Sequence, residues 1–130
     1  MINPTALFQA LADDTRLQML VLLRQHGELC VCDLVGVLDI TQSKASRHLR
    51  YLYNAGVVKD RRETVWIHYR IAEDLNPAQL AIVDGIENLL GATKISDLDS
   101  RFVNWMQRKF RCGPVIDKID DFSKLPERVG

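Results

Sequence analysis

The 130-residue chain has no apolar run near the roughly 18 residues of a membrane span. Its opening "MINPTALFQ" lacks both the basic start and the apolar core of a signal peptide, so a cytoplasmic location without membrane association is expected. It has no net charge, with Lys+Arg 17 against Asp+Glu 17, so bulk electrostatics names no partner. Cysteine is scarce. Cys30, Cys32 and Cys112 are the only three, too few for a disulfide framework; in a reducing compartment such thiols are ligands, sensors or buried small hydrophobes. His26, His48 and His68 do not form a metal-ligand spacing. No nucleophile–base pair, phosphate loop or acidic dyad stands out, so an enzyme is not expected.

What is there is a segregation that the average hides. Thr41 to Arg70 holds Lys44, Arg47, Arg50, Lys59, Arg61, Arg62 and Arg70 against only Asp60 and Glu63. The pattern around it predicts short helices. Asn3-Pro4 offers a cap and a first-turn proline for a helix from about Thr5 to Ala12, and "DDT" opens a second that Gly27 closes. Leu34, Val35, Val37 and Leu38 make a short third. Thr41 caps a fourth with Ala45, Leu49, Leu52 and Tyr53 on one face and Gly56 as its stop. Val57-Val58 and "VWIHYRI" then alternate on either side of a charged turn, "RRET", as two strands of a hairpin do. The order predicts a mainly α chain with a small β-hairpin, a winged helix-turn-helix.

The fourth helix is the expected DNA reader. Thr41, Gln42, Ser43, Lys44, Ser46, Arg47 and Arg50 cluster on its N-terminal half, where a recognition helix meets the major groove. Arginine bonds guanine bidentately, glutamine pairs with adenine, and short hydroxyls allow close approach. Arg61 and Arg62 in the hairpin reach flanking backbone or minor groove. The competing readings are a solvated charged face and a protein-docking winged helix.

"ALFQALADDTRLQMLVLL", "ELCVCDL", "TQSKASRHLRYLYNAGVVKDRR" and "WIHYRI" together resemble the ArsR/SmtB family of metal-responsive repressors over about Thr5 to Leu90. The resemblance implies a homodimer that binds double-stranded operator DNA and releases it when a metal binds. Gln42, Ser43, Ser46 and Arg47 match the family's base-reading stretch. The "ELCVCDL" match points to the arsenite-, antimonite- and cadmium/lead-responsive branch, with Cys30 and Cys32 as ligands and no permanent cofactor. This chain departs from that pattern in carrying Val35 where the arsenite repressors have a third cysteine, and no cysteine precedes Cys30 as in the cadmium/lead relatives. A two-sulfur site completed by hydroxide or a small-molecule thiol suits the inducer As(III), with Sb(III) as the second candidate. Cys112 is a further candidate ligand. "LAIVDGIENLL" supplies Asp84 and Glu87 but no histidine, against the family's zinc site.

Two thiols at i and i+2 of a regular helix point about 200° apart, whereas two sulfurs on one ion converge to about 4 Å. Sharing an ion therefore requires an unwound or displaced start of the third helix. A thiol-redox response is the rival reading, against which the same divergence counts. Beyond the hairpin, Leu80, Ile82, Val83, Ile86, Leu89 and Leu90 give a fifth helix, about Pro77 to Leu90, an apolar face suited to dimerisation. Residues 1–91 then form the DNA-binding and dimerisation domain. Residues 92–130 form a helical extension, entered near Ser96 or Asp97, and a polar tail.

Overall fold

In the computed structural model, which describes residues 3–109, helices begin where a capping side chain precedes an apolar run. Helix α1 (Pro4–Leu11) has Pro4 in its first turn, and Asn3 Oδ1 accepts from the Ala6 N–H at 3.1 Å. Asp13 caps α2 (Asp14–His26), accepting from the Arg16 N–H at 3.0 Å, and Gly27 at φ 83° closes it, a conformation that favours glycine. A two-residue strand, β1 (Leu29–Cys30), follows and leads directly into α3 (Val31–Leu38). Thr41 caps α4 (Gln42–Asn54), which gives way to β2 (Val58–Glu63) and β3 (Trp66–Ile71). Asn76 and Gln79 form a reciprocal capping box, both bonds 2.9 Å, at the start of α5 (Pro77–Leu90).

Five consecutive residues of α2, Met19 to Leu23, are buried, so this helix is wrapped on all sides: α1, α4, α5 and β3 pack against it. Leu7 and Ala10 of α1, Leu34 and Val37 of α3, Ala45, Leu49 and Leu52 of α4, and Val83 and Ile86 of α5 are buried with it, as are Val57, Val58 and Tyr69 of the sheet region. Each leucine so buried stabilises the fold by roughly 1.5–3 kcal/mol relative to exposure.

Five features differ from expectation. The hairpin is part of a three-stranded antiparallel sheet of order β1-β3-β2, because Leu29 pairs with Tyr69 and Cys30 with His68. Arg61, Arg62 and Glu63 lie within β2, and the turn is Thr64-Val65, since Glu63 pairs with Trp66. Tyr53 is exposed, while Ile86, expected on the dimer face, is turned into the core at 1% exposure. Helix α6 (Ala92–Arg108) starts directly after Gly91, whose carbonyl accepts the first helical bond, from the Ile95 N–H at 3.0 Å.

The chain divides between Leu98 and Asp99 into two units. In the second, the Arg108 guanidinium lies 5.9 Å from the Trp105 ring centroid. No described helix is long and apolar enough to cross a membrane. Cys112 and the polar tail lie outside the described residues.

Candidate nucleic-acid interface and thiol site

Burial of Ala45, Leu49 and Leu52 fixes the rotation of α4 and leaves Gln42, Ser43, Lys44, Ser46, Arg47 and Arg50 exposed on it. Thr41 Oγ1 accepts from the Lys44 N–H at 3.1 Å, so the hydroxyl serves as the helix cap. The exposed set combines forked guanidiniums, an amide and short hydroxyls at the positive end of a helix, a chemistry that fits base edges and phosphates alike. His48 belongs elsewhere. It is half-buried and turned toward Arg16, whose Nη1 donates to His48 Nδ1 at 3.2 Å. Burial, and then the charges of Arg16, Lys44 and Arg47, hold its pKa below the ordinary imidazole value, with Asp13 opposing them.

The two arginines of the wing differ. Arg62 is exposed on β2. Arg61 is gripped by carboxylates: its Nη2 donates to Glu28 Oε1 at 2.5 Å and its Nη1 to Glu63 Oε1 at 3.1 Å. The Arg61 guanidinium holds the Glu28 carboxyl below its usual range, and the same bonds raise the Arg61 pKa. Glu28 precedes β1, so this pair ties the approach to the first thiol to the wing. Sequence periodicity offers no signal for an ion pair that spans 33 positions.

Cys30 stands outside the helix. Its backbone is extended, φ −82° and ψ 163°, at the N-cap of α3, and Cys32 is the second helical residue. The Cα atoms lie 5.3 Å apart, inside the roughly 4.4–6.8 Å range of bonded cysteines, and the sulfurs are joined as a disulfide. Unwinding of α3 is therefore not needed for the two sulfurs to meet, contrary to the expectation for a regular helix: the strand-to-helix junction supplies the convergence. Asp33 caps the same turn, its Oδ2 accepting from the Cys30 N–H at 3.2 Å. The two sulfurs and an Asp33 oxygen all lie within 4.8 Å of one another, a donor group that in its reduced form fits a soft ion. Val35, one turn on, adds no donor. Cys30 is buried and Cys32 half-buried, so an incoming ion or oxidant meets Cys32 first.

Residues 13–60 match the family model described as "Bacterial regulatory protein, arsR family". The chain is 46% identical over 81 residues, 62% of its length and 69% of the relative's, to the "Arsenical resistance operon repressor" of Escherichia coli. Among solved structures, the "AntR antimony-specific transcriptional repressor" aligns with TM-score 0.54 and 31% identity over 74% of this chain and 79% of that one. A possible ArsR-family regulator of Mycobacterium bovis, solved in solution as a homodimeric winged helix-turn-helix DNA-binding domain, aligns with TM-score 0.56 and 30% identity over 66% of this chain and 76% of that one. The chain spans about two thirds of the length of the first curated relatives that it matches. With this helix order, winged sheet and exposed α4 face, the chain belongs to the arsR family of bacterial regulatory proteins, winged helix-turn-helix transcriptional regulators rather than enzymes.

Proposed function

We propose that the chain is a homodimeric repressor that binds double-stranded operator DNA and releases it when trivalent arsenic, or antimony, is held by Cys30 and Cys32. One observation carries the reading: two cysteines whose side chains converge at the start of α3, the helix that packs against α4. The names of the arsenical-resistance and antimony-specific relatives support it. Trivalent arsenic, when bound, supplies two strong bonds to sulfur. This chain's residues do the rest. Asp33 fixes the Cys30 backbone, Thr41 caps the recognition helix, and Gln42, Ser43, Lys44, Ser46, Arg47 and Arg50 read bases and phosphates, with Arg62 on the flanking backbone. Arg61 joins them only if DNA draws it from Glu28. Cys112 is an auxiliary ligand within or across subunits. Release follows if the ion favours a sulfur-to-sulfur geometry, and so a placement of α3, that the DNA-bound form does not adopt.

The test is fluorescence anisotropy of a labelled duplex from the DNA upstream of this chain's gene, titrated with arsenite. Cys30→Ser and Cys32→Ser are expected to retain DNA binding and lose release, and Cys112→Ser to weaken arsenite affinity while keeping release. Normal release from Cys32→Ser overturns the two-thiol site.

The joined sulfurs favour a second reading, a repressor that answers peroxide. The two thiols give up two protons and two electrons as the S–S bond forms, and hydrogen peroxide is reduced to two waters. Mass spectrometry separates the readings: peroxide removes two hydrogens from the intact chain, whereas arsenite adds arsenic.

A further inference from the structure

One side chain outside both sites fastens α1 to α4. Arg16 sits in the first turn of α2, half-buried, and its donors are divided between two helices. Its Nε donates to the Ala10 carbonyl at 2.7 Å and its Nη2 to the Gln9 carbonyl at 3.2 Å, both in the last turn of α1. That is where helix carbonyls lack intrahelical partners and a cation is favoured. Its Nη1 donates to His48 Nδ1 at 3.2 Å, and its guanidinium carbon lies 4.1 Å from the Tyr51 ring centroid. His48 and Tyr51 stand three apart on α4, beside the buried stripe. Lysine could not make this set of contacts, which needs a planar fork with a face for stacking.

We propose that Arg16 is a positioning residue for DNA reading: by bonding α1 on one side and His48 and Tyr51 on the other, it sets the angle at which α4 presents Gln42 to Arg50, without itself touching DNA. The proposal rests on the reading of α4 as the DNA-contacting helix.

The chemistry makes the clamp sensitive to protons. A guanidinium only donates, so His48 Nδ1 accepts from it only while it carries no proton, the remaining proton being assigned to Nε2. Protonation of His48 sets a second cation against Arg16, beside Lys44 and Arg47 of its own helix. Among the described residues, Asp13, 3.9 Å from Nδ1, is the one acidic group that the contacts bring to it, and α1 brings Arg16 the backbone carbonyls of Gln9 and Ala10. The clamp is closed at neutral pH, and it opens as pH falls below the ordinary imidazole range. A cationic imidazole next to the exposed arginines strengthens attachment to any DNA, so what acid removes is discrimination between sequences.

The measurement is the ratio of affinities for the upstream duplex and for a scrambled duplex of equal length, by anisotropy from pH 5.5 to 8, with circular dichroism as the check on folding. Arg16→Lys, which keeps the charge, is expected to lower the ratio about tenfold at pH 7.5, the size of one lost base contact, while affinity for the scrambled duplex stays at the wild-type level; Arg16→Gln is expected to lower the ratio as far and, having lost a charge, to weaken binding to both duplexes. In the parent protein the ratio falls toward pH 5.5. His48→Gln, whose amide oxygen accepts from Arg16 at every pH, is expected to remove that slope. A folded Arg16→Lys with an unaltered ratio, or His48→Gln with the parent's slope, overturns the proposal; the second comparison stands even if the Arg16 variants do not fold. Arg47→Ala separates the two levels of failure. If it lowers the ratio and the Arg16 and His48 variants behave as the parent, only the positioning role is wrong; if it too leaves the ratio unaltered, α4 is not the reader and both fail.

Discussion

Arg47 and Arg62 carry the same charge in different settings, and their substitution separates reading from holding. Arg47 stands on the exposed face of α4, so Arg47→Ala is expected to cost about 1–3 kcal/mol of specific affinity and relax preference at one base pair. Arg62 stands on the wing strand; Arg62→Ala is expected to weaken all duplexes alike and lower the slope of log affinity against log salt by about one. Equal loss of sequence preference in the two variants, measured by competition binding, contradicts the assignment. His48 also links stability to pH. Its folded pKa lies below the unfolded value, chiefly through burial, so the unfolded chain takes up a proton first as pH falls. The contribution is whole above the unfolded imidazole pKa of about 6.5 and is lost as pH falls from there through the lower folded value. Melting temperatures at pH 7.5 and 5.5 are expected to differ more for the parent than for His48→Gln.

At the scale of elements, the junction of β1 and α3 governs the thiols. Asp33 is 5% exposed and bonds the Cys30 N–H, so Asp33→Ala leaves that donor without its cap. The expected cost is about 1 kcal/mol, or roughly 4 °C in melting temperature for a unit of this size. Asp33→Asn keeps an acceptor and is expected to recover most of it. Thermal melts of the reduced proteins test this, and an Asp33→Ala melt that overlays the parent's contradicts the cap. The same junction explains why the thiol geometry was not legible in "ELCVCDL". A two-residue strand has no periodicity to detect, and its existence depends on β3, some 40 residues on, presenting Tyr69 and His68 as partners.

At the scale of the molecule, the apolar surface left exposed suits a second copy of the chain. Leu89 on α5 is 81% exposed and Phe8 on α1 is 58% exposed, while Val83 and Ile86 are spent on the core. We expect a dimer at micromolar concentration, with Leu89→Glu shifting sedimentation toward monomer and leaving the helical dichroism intact. Ile86→Glu is expected to unfold the chain instead, since it buries a charge. A Leu89→Glu protein that sediments as the parent places the interface elsewhere.

The sequence by itself determined the order of the first five helices and the starts of α1, α2 and α4, because caps such as Asn3, Asp13 and Thr41 act within three residues of themselves and apolar period marks a buried face. It also determined which face of α4 is polar, since Ala45, Leu49 and Leu52 recur at helical spacing. Only the tertiary structure decided what happens between distant residues. It brought Arg16 to His48, Arg24 to Asp84 and Arg61 to Glu28, drew Ile86 inward, and moved Cys30 out of the helix into a strand. The physical reason is range. Capping and periodicity are local energies written in neighbouring letters, whereas an ion pair or a third strand forms only after the core around α2 has brought its partners together.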